Sequence, residues 1–263
     1  MKKKLFFALV LCTAFFATAN AQTNIQVMYD FAKDRQQITT TIEGFYTDKG
    51  GNTFFFVDHD FALKKDLGDT SSPAGTYMEV ARCLNFWQNS PVNFLSAHVE
   101  YNGGAYKGFG INHAFLAGAD FFLHSKNYNN TLNLKVLYKG ILKTKQVVPM
   151  QFTVVWGMQD LFGAKGLRFS GFADFWWEDH VVTGKDLSAS LSHVVFISEP
   201  QLWYNCGTEH FNIGGEVELS YDFGTTHGFR ARPCLGIKWV FYEPGLNHHK
   251  LSYYEFLDQS FRF

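Results

Sequence analysis

Aromatic rings and carboxylates alternate with other residues along one short stretch of the chain. Phe54, Phe56, Asp58 and Asp60 occupy even positions within residues 53–62. Positions two apart in a β-strand point to the same face, so these four side chains would share one wall. Rings stack on flat solutes, and carboxylates accept hydrogen bonds from hydroxyl or amine groups. The spacing predicts a binding surface for a small polar solute.

Further ionisable or aromatic side chains fall within the strands that the sequence predicts. A charge is costly on a lipid-facing surface, so these residues are expected to point inward. The alternative to solute binding, for any one of these residues, is an ion pair that only maintains the shape of the lumen. For Phe54 and Phe56, the alternative is a lipid-facing position with the acids at a loop mouth. The additional predicted pore-lining and solute-binding residues are Glu79, Glu100, Asp174, Trp176, Glu216 and Glu218.

No motif in the sequence predicts catalysis. The nucleophile elbow G-x-S-x-G and the zinc motif H-E-x-x-H are absent. Glu178-Asp179-His180 supplies acid and base groups but has no nearby nucleophile, and His248-His249 is expected to be a solvated pair. Cys83, Cys206 and Cys234 show no metal-ligand spacing. We therefore predict no enzymatic activity, no catalytic residues, no metal and no cofactor.

Strands of alternating polarity would have to position the predicted lumen residues. Period-2 alternation recurs in about twelve segments, and Pro200 predicts a bulge or an edge in the tenth. In residues 213–223, Glu216 and Glu218 oppose a mainly apolar face that ends in Tyr221 and Phe223, aromatics suited to the membrane interface. Segments of ~10 residues suit tilted strands that cross a bilayer. The pattern predicts an all-β fold, a closed antiparallel transmembrane β-barrel of about 12 strands.

The composition is consistent with a membrane barrel and excludes several other classes of protein. Aromatic residues make up 18% of the chain, whereas its mean hydropathy is only −0.12. A barrel reconciles these values because only every second residue faces lipid. No stretch after residue 21 approaches the ~18 apolar residues of a spanning helix. The absence of a basic stripe argues against a nucleic-acid polymer as partner.

Both ends of the chain carry features of an exported protein. Lys2–Lys4, an apolar stretch over residues 5–16 and Ala19-Asn20-Ala21 have the layout of a secretory signal. We predict a signal peptide over 1–21, a barrel over 22–242, and a tail or final strand over 243–263. An uncleaved anchor is the alternative at the N-terminus. The terminal Phe263 resembles the signal read by the barrel-insertion machinery, so we predict the outer membrane of a Gram-negative cell, with its lipid and this machinery as partners.

Four short stretches resemble a known family. They are GGNTFFFVDHD at 50–60, SGFADF at 170–175, SEPQLWY at 198–204 and GIKW at 236–239. In this order along the chain they resemble the Tsx-like nucleoside-specific channel-forming outer-membrane proteins, and the signal peptide suggests a Bacteroides-type relative. The resemblance implies a monomeric twelve-stranded barrel with a narrow pore for nucleosides. It implies pore-lining roles for Phe54, Phe56, Asp58 and Asp60, and less directly for Asp174 and Trp176.

The resemblance does not cover every feature of the sequence. Residues past Glu243 have no counterpart, and the match over Phe54–Asp60 is one of character more than identity. We therefore expect an outer-membrane channel for small polar solutes, with nucleosides as the solute that the resemblance implies. The first alternative is a non-conducting barrel that acts as an anchor or binding surface, filled by side chains or by the 243–263 tail. A barrel hydrolase or acyltransferase with a triad at the outer rim, and a secreted β-sandwich, are further alternatives.

Overall fold

Nearly every strand that the alternation predicts is present in the computed structural model. It describes residues 20–33, 35–48, 50–63, 74–107, 109–127, 129–184, 186–208 and 210–241. The predicted signal peptide up to residue 19, the predicted tail 243–263, His248-His249 and Phe263 lie outside the described residues. No helix in the described part of the chain is long and apolar enough to span a membrane.

One antiparallel sheet contains all the strands. The only helical element in the described ranges of the chain is a short 3-10 helix at Leu161–Gly163. The strands are β1 (Asn20–Asp30), β2 (Gln37–Asp48), β3 (Gly51–Ala62), β4 (Gly75–Leu84), β5 (Leu95–Tyr106), β6 (Phe109–His124), β7 (Asn130–Ile141), β8 (Met150–Met158), β9 (Leu167–Thr183), β10 (Ala189–Ser198), β11 (Gln201–Asn205), β12 (Phe211–Tyr221) and β13 (Phe229–Phe241). Neighbouring strands pair in order along the chain, and β1 pairs with β13 from Thr23↔Phe241 to Asp30↔Cys234. This last pairing closes the sheet into a barrel.

The segments β10 and β11 form one barrel strand with an interruption. Both pair with β9 on one side and β12 on the other. Between them, Pro200 has no N–H to give to the ladder. The Glu199 N–H donates to the carbonyl of Phe172 at 3.0 Å, and the Val217 N–H donates to the Pro200 carbonyl at 3.1 Å. The barrel therefore has 12 strands, as predicted, and the predicted interruption at Pro200 is confirmed.

The two faces of the barrel have opposite polarity. Apolar side chains on the outer face are exposed, among them Phe115 at 54% and Leu235 at 63%. On the inner face, polar side chains such as Gln26, Asp120 and Glu218 are almost completely buried. A bilayer requires this inverted arrangement, and closure leaves no unpaired strand edge in lipid. The protein is an outer-membrane β-barrel, and a single closed sheet excludes the two-sheet sandwich.

A hydrophobic cluster occupies part of the barrel interior. Its members lie on the inner faces of strands between β6 and β10. For example, Leu137 and Trp176 both lie opposite Gln151, whose side chain points inward. Phe172 and Phe223 pack against the cluster. The prediction that Phe223 belongs to the outer apolar face is therefore wrong, because β12 ends at Tyr221 and the alternation does not continue beyond it. We call this set the apolar wall: Ala114, Leu116, Leu137, Ile141, Trp176, Val195 and Ile197. The lumen is therefore filled on one side.

Two connections that the polarity pattern predicts as loops are mainly strand. Residues 103–111 are almost entirely paired, with Ala105 opposite Gly110, and residues 179–191 pair as far as Thr183 opposite Ala189. Backbone hydrogen bonds need no apolar side chain, so a hairpin continues where the polarity alternation ends. The alternation marks the part of each strand that faces lipid rather than its full length.

Candidate functional site

Four predicted solute-binding residues lie on the inner face of β3: Phe54, Phe56, Asp58 and Asp60. Their partners on β2 define this face: Thr41 lies opposite Asp58, and Thr39 opposite Asp60. The Thr41 hydroxyl donates to the Asp58 carboxylate at 2.5 Å, and the Thr39 hydroxyl donates to Asp60 at 2.6 Å. Phe54 and Phe56 share the face because they are separated from Asp58 by even numbers of residues. The alternative with both rings in lipid is not what the structure shows.

Strand β4 continues the same inner surface. Phe56 lies opposite Glu79, and Asp58 lies opposite Tyr77. The ring centroids of Phe54 and Phe56 are 6.0 Å apart, and those of Phe56 and Tyr77 are 5.9 Å apart. The Tyr77 hydroxyl donates to Glu79 at 2.6 Å. We call Phe54, Phe56, Asp58, Tyr77 and Glu79 the aromatic–acidic wall; each of its side chains is only half-buried and keeps contact with the lumen.

Asp60 differs from Asp58 in what surrounds it. Its side chain is buried, and its second carboxylate oxygen accepts a hydrogen bond from the Tyr106 hydroxyl at 2.6 Å. With Thr39 on the first oxygen, both oxygens of Asp60 are occupied by protein donors. Asp60 therefore ties β2, β3 and β5 together near the 63–74 connection, whereas Asp58 is the more accessible carboxylate.

Carboxylates from the adjacent strand β2 and from β12 act on Asp58. Asp58 interacts electrostatically with Glu43 and Glu216, and Glu199 interacts with both Asp58 and Glu216. Asn24 donates to Glu43 and Gln201 donates to Glu216, each at 2.9 Å. No side chain in the described ranges hydrogen-bonds the Glu199 carboxylate. We call Glu43, Asp58, Glu199 and Glu216 the acidic cluster; Lys238 and Arg35 are the cations that act on it.

A second group of charges lies nearer the apolar wall. Glu79 interacts electrostatically with Glu100 and Asp174, and Lys139 acts on all three. The structure thus brings three of the predicted site residues together. Thr153 donates to Asp174, and His98 Nε2 lies 2.8 Å from Glu100. Each of these acids has a hydrogen-bonding partner and lies near the Lys139 cation, whereas Glu199 of the acidic cluster has no side-chain donor in the described ranges.

Trp176 and Glu218 have structural surroundings. Trp176 is 7% exposed, its Nε1–H donates to Glu178 at 2.9 Å, and the Lys139 ammonium lies 3.8 Å from its ring centroid. Its face is therefore covered by protein. Glu218 accepts hydrogen bonds from Arg35 and Arg232, both at 2.6 Å, and is buried. These two residues point inward as expected, but neither presents a free surface to a solute.

Arg35 extends the Glu218 network to a second acid. It lies in the 31–36 connection and also pairs with Asp30 at 2.5 Å. Burial acts to lower the pKa of Arg35, but the carboxylates of Glu218 and Asp30 outweigh it and raise this pKa above its ordinary value. The network joins β1, β12 and β13 at one end of the lumen.

Ser192, Asp222 and His227, near the 184–188 connection, do not form a nucleophile–base pair. The Ser192 hydroxyl and His227 Nδ1 both contact the Asp222 carboxylate, at 2.7 Å and 3.0 Å. The acid therefore lies between the hydroxyl and the imidazole, and His227 is not placed to take the proton of Ser192. His180 hydrogen-bonds to the carbonyl of Asp222 and not to a nucleophile.

Cys83, His98 and Asp120 lie far apart in the sequence but are in contact inside the barrel. Cys83 Sγ lies 3.2 Å from His98 Nδ1 and 3.4 Å from a carboxylate oxygen of Asp120. All three side chains are buried on the inner faces of β4, β5 and β6. These residues lie far apart along the chain and only the strand register brings them together, so their spacing in the sequence predicts no metal site. Tyr77 was missed for the same reason.

Several solved structures match this chain at low sequence identity. A structure described as KdgM porin has 9% identity, covers 84% of this chain and 99% of its own, and has a TM-score of 0.48. OccAB3 from Acinetobacter baumannii has 9% identity, 86% and 100% coverage, and a TM-score of 0.35. A mutant porin of Rh. blastica has 8% identity, 85% and 99% coverage, and a TM-score of 0.32. Likenesses at this level assign no function.

Sequence comparison places the chain in a family without assigning it an activity. No curated protein matches the sequence. One family model, described as "Domain of unknown function (DUF5020)", matches residues 22–241, which include almost the whole described barrel. This 12-stranded outer-membrane barrel therefore belongs to the DUF5020 family.

Proposed function

We propose that this protein is a narrow outer-membrane channel for small polar solutes that are neutral or cationic. One observation carries the proposal: the aromatic–acidic wall stays partly exposed inside a lumen whose opposite side is filled by the apolar wall. Space beside the exposed wall would form an off-centre passage, and barrels of this size are wide enough to hold one.

The chemistry of the exposed wall favours flat solutes that carry hydrogen-bond donors. The rings of Phe54 and Phe56 offer apolar faces for stacking, and Asp58 accepts hydrogen bonds from hydroxyl or amine groups. The acidic cluster beside them repels anions and attracts cations. A nucleoside combines an aromatic ring with hydroxyl groups and has no negative charge. The resemblance to Tsx-like channels supports nucleosides as the solute.

Localisation and processing follow from the same proposal. Residues 1–21 would be removed on export, and the barrel would be inserted as a monomer with the help of the barrel-insertion machinery. The shorter connections would face the periplasm. Residues 243–263 would form a periplasmic tail or an additional strand.

A non-conducting barrel is the second candidate, and a specific observation favours it. The apolar wall and the Arg35–Glu218–Arg232 network fill a large part of the interior with buried side chains. In this case, Asp58 and Phe56 would bind a solute at the mouth without passing it. The two candidates differ in whether solutes cross the barrel.

Uptake into liposomes distinguishes these candidates. The purified full chain is reconstituted, and entry of labelled adenosine is compared with entry of adenosine monophosphate, which has the same ring but is an anion. We expect adenosine to enter faster than the monophosphate, and the replacement Asp58→Asn to reduce the discrimination. Absence of adenosine entry in vesicles that contain folded barrel would refute the channel.

A further inference from the structure

Cys83, His98 and Asp120 present three metal-binding atoms to one point. The Sγ of Cys83, a ring nitrogen of His98 and a carboxylate oxygen of Asp120 all lie within 4.8 Å of one another. Thiolate, imidazole and carboxylate are the three protein ligands that zinc accepts. Three protein ligands with a fourth position left for water is an ordinary arrangement for this ion.

Two of the three distances between these atoms fit a zinc ion, and the third is no longer than 4.8 Å. With Zn–S of about 2.3 Å and Zn–N of about 2.0 Å, two ligands at tetrahedral positions are about 3.5 Å apart. Cys83 Sγ lies 3.2 Å from His98 Nδ1 and 3.4 Å from Asp120 Oδ2. Both distances need only small side-chain adjustments to match the edges of the tetrahedron.

Neighbouring side chains hold two of the ligands in the orientation that a metal needs. Glu100 lies 2.8 Å from Nε2 of His98, the nitrogen that would not bind the ion. Asn133 donates to Oδ1 of Asp120 at 2.8 Å, which leaves Oδ2 directed at the cysteine. A carboxylate on the far nitrogen of a histidine ligand fixes its tautomer and increases its basicity. Such partners are a common feature of zinc sites.

A cysteine nucleophile is a weaker explanation of the same geometry. Cys83, His98 and Glu100 form a thiol–imidazole–carboxylate chain, as in some hydrolases. However, Cys83 is 5% exposed and His98 is 1% exposed, so a substrate carbonyl cannot approach the sulfur. Asp120 also contacts the thiol directly, which a nucleophile does not require but a metal site does.

We propose that Cys83, His98 and Asp120 form a zinc-binding site inside the barrel. The site joins β4, β5 and β6 close to the 85–94 connection. It lies at the opposite end from the Arg35–Glu218–Arg232 network. A bound ion would clamp three adjacent strands together, and its fourth position would be filled by a water molecule. This site is independent of whether the lumen conducts.

Metal content and cobalt spectroscopy test the site on the folded full chain. The refolded protein is equilibrated with zinc, freed of unbound ion and analysed for metal, and a parallel sample receives cobalt. We expect one tightly held zinc and a sulfur-to-cobalt charge-transfer absorption. The Cys83→Ser and Asp120→Asn variants should lose both, and Glu100→Gln should weaken zinc binding about 10- to 100-fold.

Two controls separate this site from other donors. Cys234→Ser removes another buried lumen cysteine and should leave metal binding unchanged. The double replacement of His248 and His249 by Ala removes the paired histidines near the C-terminus and should also have no effect on the cobalt absorption. Heat-modifiable gel mobility verifies that each variant is folded. A wild-type barrel that binds no zinc, or whose cobalt complex lacks the sulfur absorption, would overturn the proposal.

Discussion

Phe56 on β3 lies directly opposite Glu79 on β4, so a ring and a carboxylate face the lumen at the same level. The Tyr77 hydroxyl donates to Glu79, and the Tyr77 ring lies beside Phe56. The rings are thus held in place by neighbours on both strands. A solute that stacks on Phe56 would at the same time lie within reach of carboxylate acceptors.

Replacing Phe56 with Ala should weaken solute binding in the lumen. Stacking of a base on an aromatic side chain contributes about 1–3 kcal/mol, so we expect at least about a fivefold rise in the adenosine concentration that half-blocks ionic current. The matched control is Phe55→Ala, one residue away on the outer face. Equal blocking constants for Phe56→Ala and the wild type would contradict a role for this ring.

Neutralising the acidic cluster should reduce selectivity for cations. The combined Glu199→Gln and Glu216→Gln replacements remove two carboxylates that interact with Asp58. We expect the reversal potential in a potassium chloride gradient to move toward zero. The effect should shrink at high salt, because ions screen charges in contact with water.

Asp186 supplies the control for this experiment. It is a fully exposed acid in the 184–188 connection, so Asp186→Asn changes the net charge without changing the lumen. If Asp186→Asn shifts the reversal potential as much as the double replacement, selectivity arises from overall charge and not from the acidic cluster.

Removing the charge of Glu218 should destabilise the barrel. Arg232 and Glu218 are both almost fully buried, and Arg35 binds the second oxygen of the same carboxylate. Breaking a buried pair by changing one partner costs about 3–5 kcal/mol. Glu218→Gln should therefore lower the free energy of unfolding by about 3 kcal/mol in urea titrations with lipid vesicles. Glu216→Gln on the same strand, which faces the more open lumen, should cost much less.

Trimming the apolar wall should widen the passage. Trp176 is its largest side chain, and Trp176→Ala removes the ring that Lys139 and Phe223 pack against. We expect a larger single-channel conductance together with a loss of about 3–5 kcal/mol in stability. Trp177→Ala, on the outer face, should leave conductance unchanged. An unaltered conductance in the Trp176 variant would mean that the apolar wall does not border the ion path.

Strand parity was enough to predict which side chains point inward. The positions of Phe54, Phe56, Asp58 and Asp60 follow from a period of two, and a charge such as Glu216 can face only the lumen. The period of two does not predict which of the inward-pointing side chains are exposed to a solute in the lumen. Trp176 is covered by Lys139, a residue 37 positions away, and this contact depends on strand register.

Contacts between distant strands explain the remaining differences. Asp60 is enclosed by Tyr106 from β5, and Cys83 meets Asp120 across two strand pairs. The alternation predicts whether each side chain faces lipid or lumen, but it does not predict the position of the residue along the barrel axis. That position depends on the shear between strands, which hairpin lengths and the Pro200 interruption determine together.

Conductance across a planar bilayer is the most direct test of the channel. Purified full chain is added to one side, and current is recorded at fixed voltage before and after adenosine is added. The proposed function predicts discrete current steps, selectivity for cations over anions and reversible block by adenosine. Insertion of folded, heat-modifiable barrel without any current steps would contradict it and would favour the non-conducting barrel.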